Sequence, residues 1–172
     1  MAVPRITSAI CNRVVVKAHG RCVMAFYEIN TREWPLVIIR FPRVPVTDSE
    51  IDAFQARFTA VLELAKKGSA RVSATKLLLA MDLNGIVDAT FQMQCRAARL
   101  IHDLKPYVLG TVTCTALTVS SELVRTIFTA ITTLQPLTSE HSVFEHESDA
   151  HAWLRKRAEA PAVGGTGHDT AT

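Results

Sequence analysis

The chain has no long apolar run, no Cys-x-x-Cys pair and no glycine-rich loop between a strand and a helix. Each absence excludes a class of function. Crossing a bilayer takes roughly 20 consecutive apolar residues, and the longest candidates, Pro35 to Phe41 and Leu77 to Met81, have only the length of strands. Met1 to Ile10 lacks the apolar stretch of a secretory signal. Gly164-Gly165-Thr166-Gly167 lies in a polar tail, so it cannot cradle a phosphate at a helix start. Ser120-Ser121 has no Gly-x-Ser-x-Gly context and is no nucleophile elbow. No catalytic residue and no cofactor is therefore expected.

Cysteine and charge are also scarce. Cys11, Cys22, Cys95 and Cys114 form no regular framework, and the last two sit in apolar runs where a thiol acts as a small buried hydrophobe. A reduced intracellular, cytoplasmic setting is the simplest reading. A Cys11–Cys22 disulfide across a hairpin is the alternative. The net charge of +3 is too weak to demand nucleic acid or anionic lipid, so no nucleic-acid partner is expected. Met1 to Tyr27 carries Arg5, Arg13, Lys17 and Arg21 but no acid. That is the sign pattern of an organellar (mitochondrial) transit peptide. The strand-like runs Val14-Val15-Val16 and Val23 to Tyr27, β-branched or aromatic, favour a hairpin with a basic outer face instead.

What is present is an alternation of strand-like and helix-like segments. Arg13 to Lys17 and Cys22 to Ile29 read as hairpin strands about a His19-Gly20-Arg21 turn. Pro35 to Phe41, apolar on both faces, reads as an interior strand. Thr47-Asp48-Ser49-Glu50 fits a capping box, and Ile51, Phe54, Phe58, Val61, Leu62 and Ala65 follow at helical spacing to Lys66, Lys67 and an exit at Gly68. Lys76 to Leu83 predicts a second buried strand ending at Asn84-Gly85. Asp88 would cap the next helix, with Phe91, Cys95, Ala98, Ile101 and Leu104 inward and Pro106 as its stop. Tyr107 to Ala116 reads as a strand. Thr118 or Ser120 opens a helix with Leu123, Ile127, Ala130, Ile131 and Leu134 inward, and Pro136 ends it. His141 to Glu145 is a last strand, with Ser148 capping a terminal helix that carries Ala150, Trp153 and Leu154.

The expected fold class is α/β, a mixed and mostly parallel sheet of about five to seven strands with an N-terminal antiparallel hairpin and about four helices. The organisation is an arm or leading strands over 1–33, a domain over 34–158 and a disordered tail over 159–172, where Ala, Pro, Gly and Thr cannot bury a core.

Three pieces carry a family resemblance. They are Val37-Ile38-Ile39-Arg40-Phe41 with the Thr47 to Glu50 helix start, then Met81-Asp82-Leu83-Asn84-Gly85-Ile86, and finally Ser121 to Pro136 followed by Phe144 and Asp149-Ala150-His151-Ala152-Trp153-Leu154. Over Trp34 to Arg157 the chain resembles the STAS superfamily, named for sulfate transporters and anti-sigma-factor antagonists, in its SpoIIAA-like, STAS/CRAL-TRIO-like branch. The resemblance implies a non-enzymatic protein-interaction module, regulatory or scaffolding. It places partner binding at Asn84, Asp88, Thr90, Arg96 and Arg99. Thr90 falls at the family's phosphoacceptor only if the loop is two residues shorter, and the family's Ser-Gly pair is absent. Asp88 as a plain cap and Thr90 in the first turn is the simpler reading. Lipid-binding relatives imply a hydrophobic ligand as the alternative, although a filled core is the simpler state of a small domain. A structural subunit of a larger organellar complex is the third possibility.

Two polar groupings complete the survey. His141, His146 and His151 recur among acids, but on strand, exit and helix they read as a solvated rim, and no metal site is expected. Arg96, Arg99 and His102, with Arg125, would form either an anion or lipid-headgroup patch or a solubilising face.

Overall fold

The computed structural model describes residues 16–18, 21–23, 26–43, 46–69, 76–86 and 90–159. Its elements in chain order are β1 (Val16–Ala18), β2 (Arg21–Val23), β3 (Glu28–Glu33), β4 (Leu36–Arg40), α1 (Asp48–Ser69), β5 (Leu77–Asp82), α2 (Phe91–Val108), β6 (Val112–Thr118), α3 (Glu122–Leu134), β7 (Glu140–Phe144) and α4 (Glu147–Glu159). This is the expected α/β class, a mixed and mostly parallel sheet with four helices.

The main sheet has five strands in the order β3-β4-β5-β6-β7. Strands β4 to β7 run parallel, and β3 supplies the antiparallel edge through the turn at Trp34-Pro35. Among the described residues the early hairpin does not join this sheet: β1 and β2 pair with each other. Ile29 shows why β3 takes the edge instead. It pairs with Ile39, and both side chains are buried in the main core.

Because the parallel strands advance in one direction, right-handed crossovers place α1, α2 and α3 on the same face. The side-chain clusters agree. Val37, Ile39, Leu77, Leu79 and Leu117 meet α1 residues Phe54, Phe58 and Leu62 together with Leu104 of α2 and Val124 of α3. The alternate positions Ile38, Leu78, Ala80, Cys114 and Ala116 point the other way and meet Ala150 and Leu154 of α4. Small residues at Ala80, Ala116 and Ala150 bring α4 close to the strands. Its outer end is held where Trp153 packs 5.8 Å from Phe144, Arg157 covers Trp153, and Arg157 pairs with Glu140.

The α1 capping box forms as the sequence dictates. Glu50 accepts from the Thr47 amide at 2.9 Å, and Thr47 Oγ1 accepts from the Glu50 amide at 3.4 Å. Several other boundaries differ from expectation. Helix α1 runs through Gly68 to Ser69. Helix α2 runs through Pro106 to Val108, because so near the C-terminus the proline orphans only the carbonyl of exposed His102. Tyr107 and Val108 therefore belong to the helix, and β6 begins at Val112 after Gly110 turns the chain at φ 76°. Helix α3 is capped by Ser121, since Thr118 closes β6 and Ser120 is bonded elsewhere. In α4 the carbonyl of His146, not Ser148, receives the first amides, from Asp149 and Ala150.

Candidate functional site

The inward row of α2 is Met93, Ala97, Leu100, Ile101, Leu104 and Val108, and only Leu104 among them is buried. The expected row of Phe91, Cys95 and Ala98 is rotated away. Phe91 is 78% exposed and Cys95 is exposed. Two apolar rows run along this helix. The one carrying the bulkier Met93, Leu100 and Leu104 faces the sheet, whereas Cys95 and Ala98 offer little area to bury. With Ala97 small and Gln94 polar in the first half of α2, the space beneath it is not filled by its own side chains.

That space is a cavity of about 180 Å³ that is partly open to the surface. Its floor is Met81 and Leu117 of the sheet with Leu83 just past β5, and its roof is Met93, Ala97, Leu100 and Ile101 of α2. One wall is a row of aromatic rings, Phe26 to Phe41 at 5.1 Å and Phe41 to Phe54 at 5.5 Å, with Phe54 stacked on Phe58 at 5.7 Å. The other wall is α3, whose inward residues are Val124, Ile127, Phe128 and Ile131. Leu123 and Leu134, expected inward, are 58% and 73% exposed, and Ala130 is exposed as well. A second space of about 120 Å³ continues beneath Leu104 and Val108 toward Leu137. The interior is therefore not the filled core expected of a domain this size.

Polar groups hold the rim together. Asn84 Oδ1 accepts from both the backbone amide and the hydroxyl of Ser120, each at 2.7 Å, tying the loop after β5 to the start of α3. The Asn84 amide in turn donates to Asp82 Oδ1 at 3.0 Å. Gly85 lies against the backbone of Phe41, where an added Cβ would sit 1.4 Å from the carbonyl oxygen. Arg96 forms an ion pair with Asp52 and lies 4.0 Å from Asp48, clasping α2 to α1. Such exposed pairs contribute below about 1 kcal/mol each. Helix α2 is held by the Arg96 pairs and by packing of Leu100, Leu104, Tyr107 and Val108 on the main core. Leu104 alone among its residues is buried, which puts the helix at the less stable end of the fold.

The residues expected to bind a partner fall in different roles. Asn84 is a brace between loops, and Asp88 lies outside the described residues. Thr90 is the N-cap of α2, accepting from Met93 N at 3.3 Å, rather than a first-turn residue. Arg96 is engaged by α1, and Arg99 is exposed. The Arg patch is accordingly divided, because Arg125 also pairs with Glu122 at 3.7 Å and donates to the Val119 carbonyl at 3.2 Å. His141, His146 and His151 sit on β7, at the bend and on α4, and no group of three or more such side chains converges among the described residues. His151 lies 3.6 Å from Glu147, which pairs with Arg40.

The two cysteines with described side chains differ sharply. Cys114 is fully buried, and burial pushes its thiol up to about 11, with Glu140 adding to the shift and Arg157 opposing it. Cys11 and the Cys22 side chain lie outside the described residues. Among the described residues no helix is long and apolar enough to cross a membrane.

Sequence reasoning missed the cavity. Its signal was there in Gln94 and Ala97, a polar and a small residue on the row that must meet the sheet. No protein-family model, no curated protein and no solved structure matches this chain.

Proposed function

We propose that the protein is a non-enzymatic binder of a small apolar ligand held beneath α2. The carrying observation is the cavity itself, about 180 Å³ of space walled almost wholly by hydrocarbon side chains. An engineered cavity of about 150 Å³ with a Leu/Ile/Phe lining stays dry and takes up benzene or xenon. Space of this size beneath α2 accommodates a compact apolar group with no movement of the helix. A lining with so little polarity recognises hydrocarbon and offers nothing to a charged or strongly hydrogen-bonding substrate. The weak fastening of α2 supplies a way in.

Native mass spectrometry of the purified full chain, with and without added apolar probe, tests this. Discrete adducts, or saturable displacement of a polarity-sensitive dye, are the expected result. Absence of saturable uptake of any apolar probe would overturn it.

A second reading is the STAS-like interaction module. Exposed Phe91 and Leu123, which stand at the starts of α2 and α3, favour it. An exposed apolar patch marks a contact surface, and these two exposed side chains stand at the starts of neighbouring helices. Replacing both with serine would weaken capture of a specific partner and leave apolar-probe uptake intact. The STAS resemblance itself rests on the three sequence pieces. Recruitment to an organellar assembly rests on the acid-free N-terminus, most of which lies outside the described residues.

A further inference from the structure

The two spaces beneath α2 share six lining residues, Phe54, Met81, Leu100, Ile101, Leu117 and Phe128. What separates them is therefore side chain rather than backbone. Phe54 and Leu117 are buried, and Phe54 is further fixed by its stacking on Phe58. Met81 is different. Its backbone is paired on both sides, to Ile39 and Leu117, and its side chain, like those of Leu100, Ile101 and Phe128, is half-buried. An unbranched thioether with three rotatable bonds moves aside more readily than any other residue of that wall.

We infer, on the premise of the apolar-ligand reading above, that the two spaces are halves of one slot for an unbranched hydrocarbon chain. Met81 is the movable partition between them. The slot runs lengthwise under α2 from Met93 to Val108, which spans about 22 Å at the helical rise. A compact ring fills one half and gains nothing from the other. A linear chain long enough to pass Met81 fills both, with its polar end outside the apolar walls; Lys105, Thr138 and Ser139 are polar residues lining the second space. Either a free fatty acid or one acyl chain of a phospholipid presents this chemistry.

The test is a binding series on the full chain with octanoate, decanoate, laurate, myristate and palmitate, beside toluene as the compact probe and phosphatidylcholine vesicles as the membrane source. Affinity is expected to rise about fourfold per added methylene beyond the length that reaches Met81. Met81→Phe should abolish the gain from laurate onward, so that palmitate binds no tighter relative to octanoate than laurate does, while Met81→Leu keeps the gain. Leu100→Phe, which narrows the same point from the helix side, serves if Met81→Phe does not fold. Native mass spectra after vesicle incubation assign the source: a retained phosphatidylcholine points to membrane lipid and fatty acid alone to the free acid, and both support the slot. Affinity that stays flat beyond octanoate, or a Met81→Phe loss equal at every length, would overturn the slot while leaving the apolar-ligand reading standing. Failure of toluene and every chain to bind would instead sink that earlier reading.

Discussion

Filling the cavity from its roof gives a prediction whose sign alone is decisive. Ala97 faces the space from the first half of α2, between Gln94 and Leu100. Ala97→Leu adds three carbons there. Burying them is worth about 0.8 kcal/mol each, or roughly 2.4 in all. Fixing the leucine rotamer costs about 0.5–1 kcal/mol. A net gain of about 1.4–1.9 kcal/mol is therefore expected, within the range usual for cavity-filling changes. In urea unfolding this is a rise in midpoint of about 0.5–1 M at unchanged slope. Ala98→Leu, on the same helix but outside the lining, should stay within about 0.5 kcal/mol of the parent. The filled variant should also lose uptake of toluene. If Ala97→Leu instead destabilises by the roughly 1–3 kcal/mol typical of an overpacked core, the space is not empty and the reasoning fails.

Other perturbations test the frame around the cavity. Gly85→Ala sets a Cβ against the Phe41 carbonyl and should cost at least about 3 kcal/mol, visible as a collapsed thermal transition by circular dichroism; a mild loss would mean that this contact is not tight. Thr47→Ala removes one half of the α1 capping box and should lower stability by about 1 kcal/mol in chemical denaturation. Leu154→Ala opens the layer beneath α4 and should cost about 2–5 kcal/mol without changing ligand uptake. Cys114 should resist alkylation in the native protein while exposed Cys95 reacts, as mass spectrometry after a timed thiol-reagent pulse would read out. Its thiol ionises more readily in the unfolded chain. The stability it contributes is thus present below about pH 9 and declines as pH rises toward about 11; a Cys114→Ala variant should lack that decline.

The sheet was legible because its strands are short apolar runs that bury both faces, as Val37 to Ile39 and Leu77 to Ala80 do. Helix α1 was legible because capping and periodicity agree in it. Helix α2 was harder. Two apolar rows compete there, and the choice between them depends on where the helix starts, which Thr90 settles and Asp88 suggested wrongly. Pro106 misled for a related reason: near a helix end a proline removes a donor whose loss solvent can offset. In α3 the leucines at either end lie outward. Threonines 126, 129, 132 and 133 return their hydroxyls to carbonyls of their own helix, so periodicity alone did not distinguish the faces. The cavity was the least legible feature. Gln94 and Ala97 on the row that meets the sheet are its one local sign, and the volume itself is a deficit between distant segments.

The most direct measurement is methyl NMR of the full chain under xenon pressure. Xenon occupies apolar cavities and needs no hydrogen-bond partner. Saturable shifts at the methyls of Met81, Leu100, Ile127 and Ile131, with none at Leu154 beneath α4, are what a ligand-sized void under α2 requires. Shifts that rise linearly and uniformly across both layers, with no saturation, would contradict it.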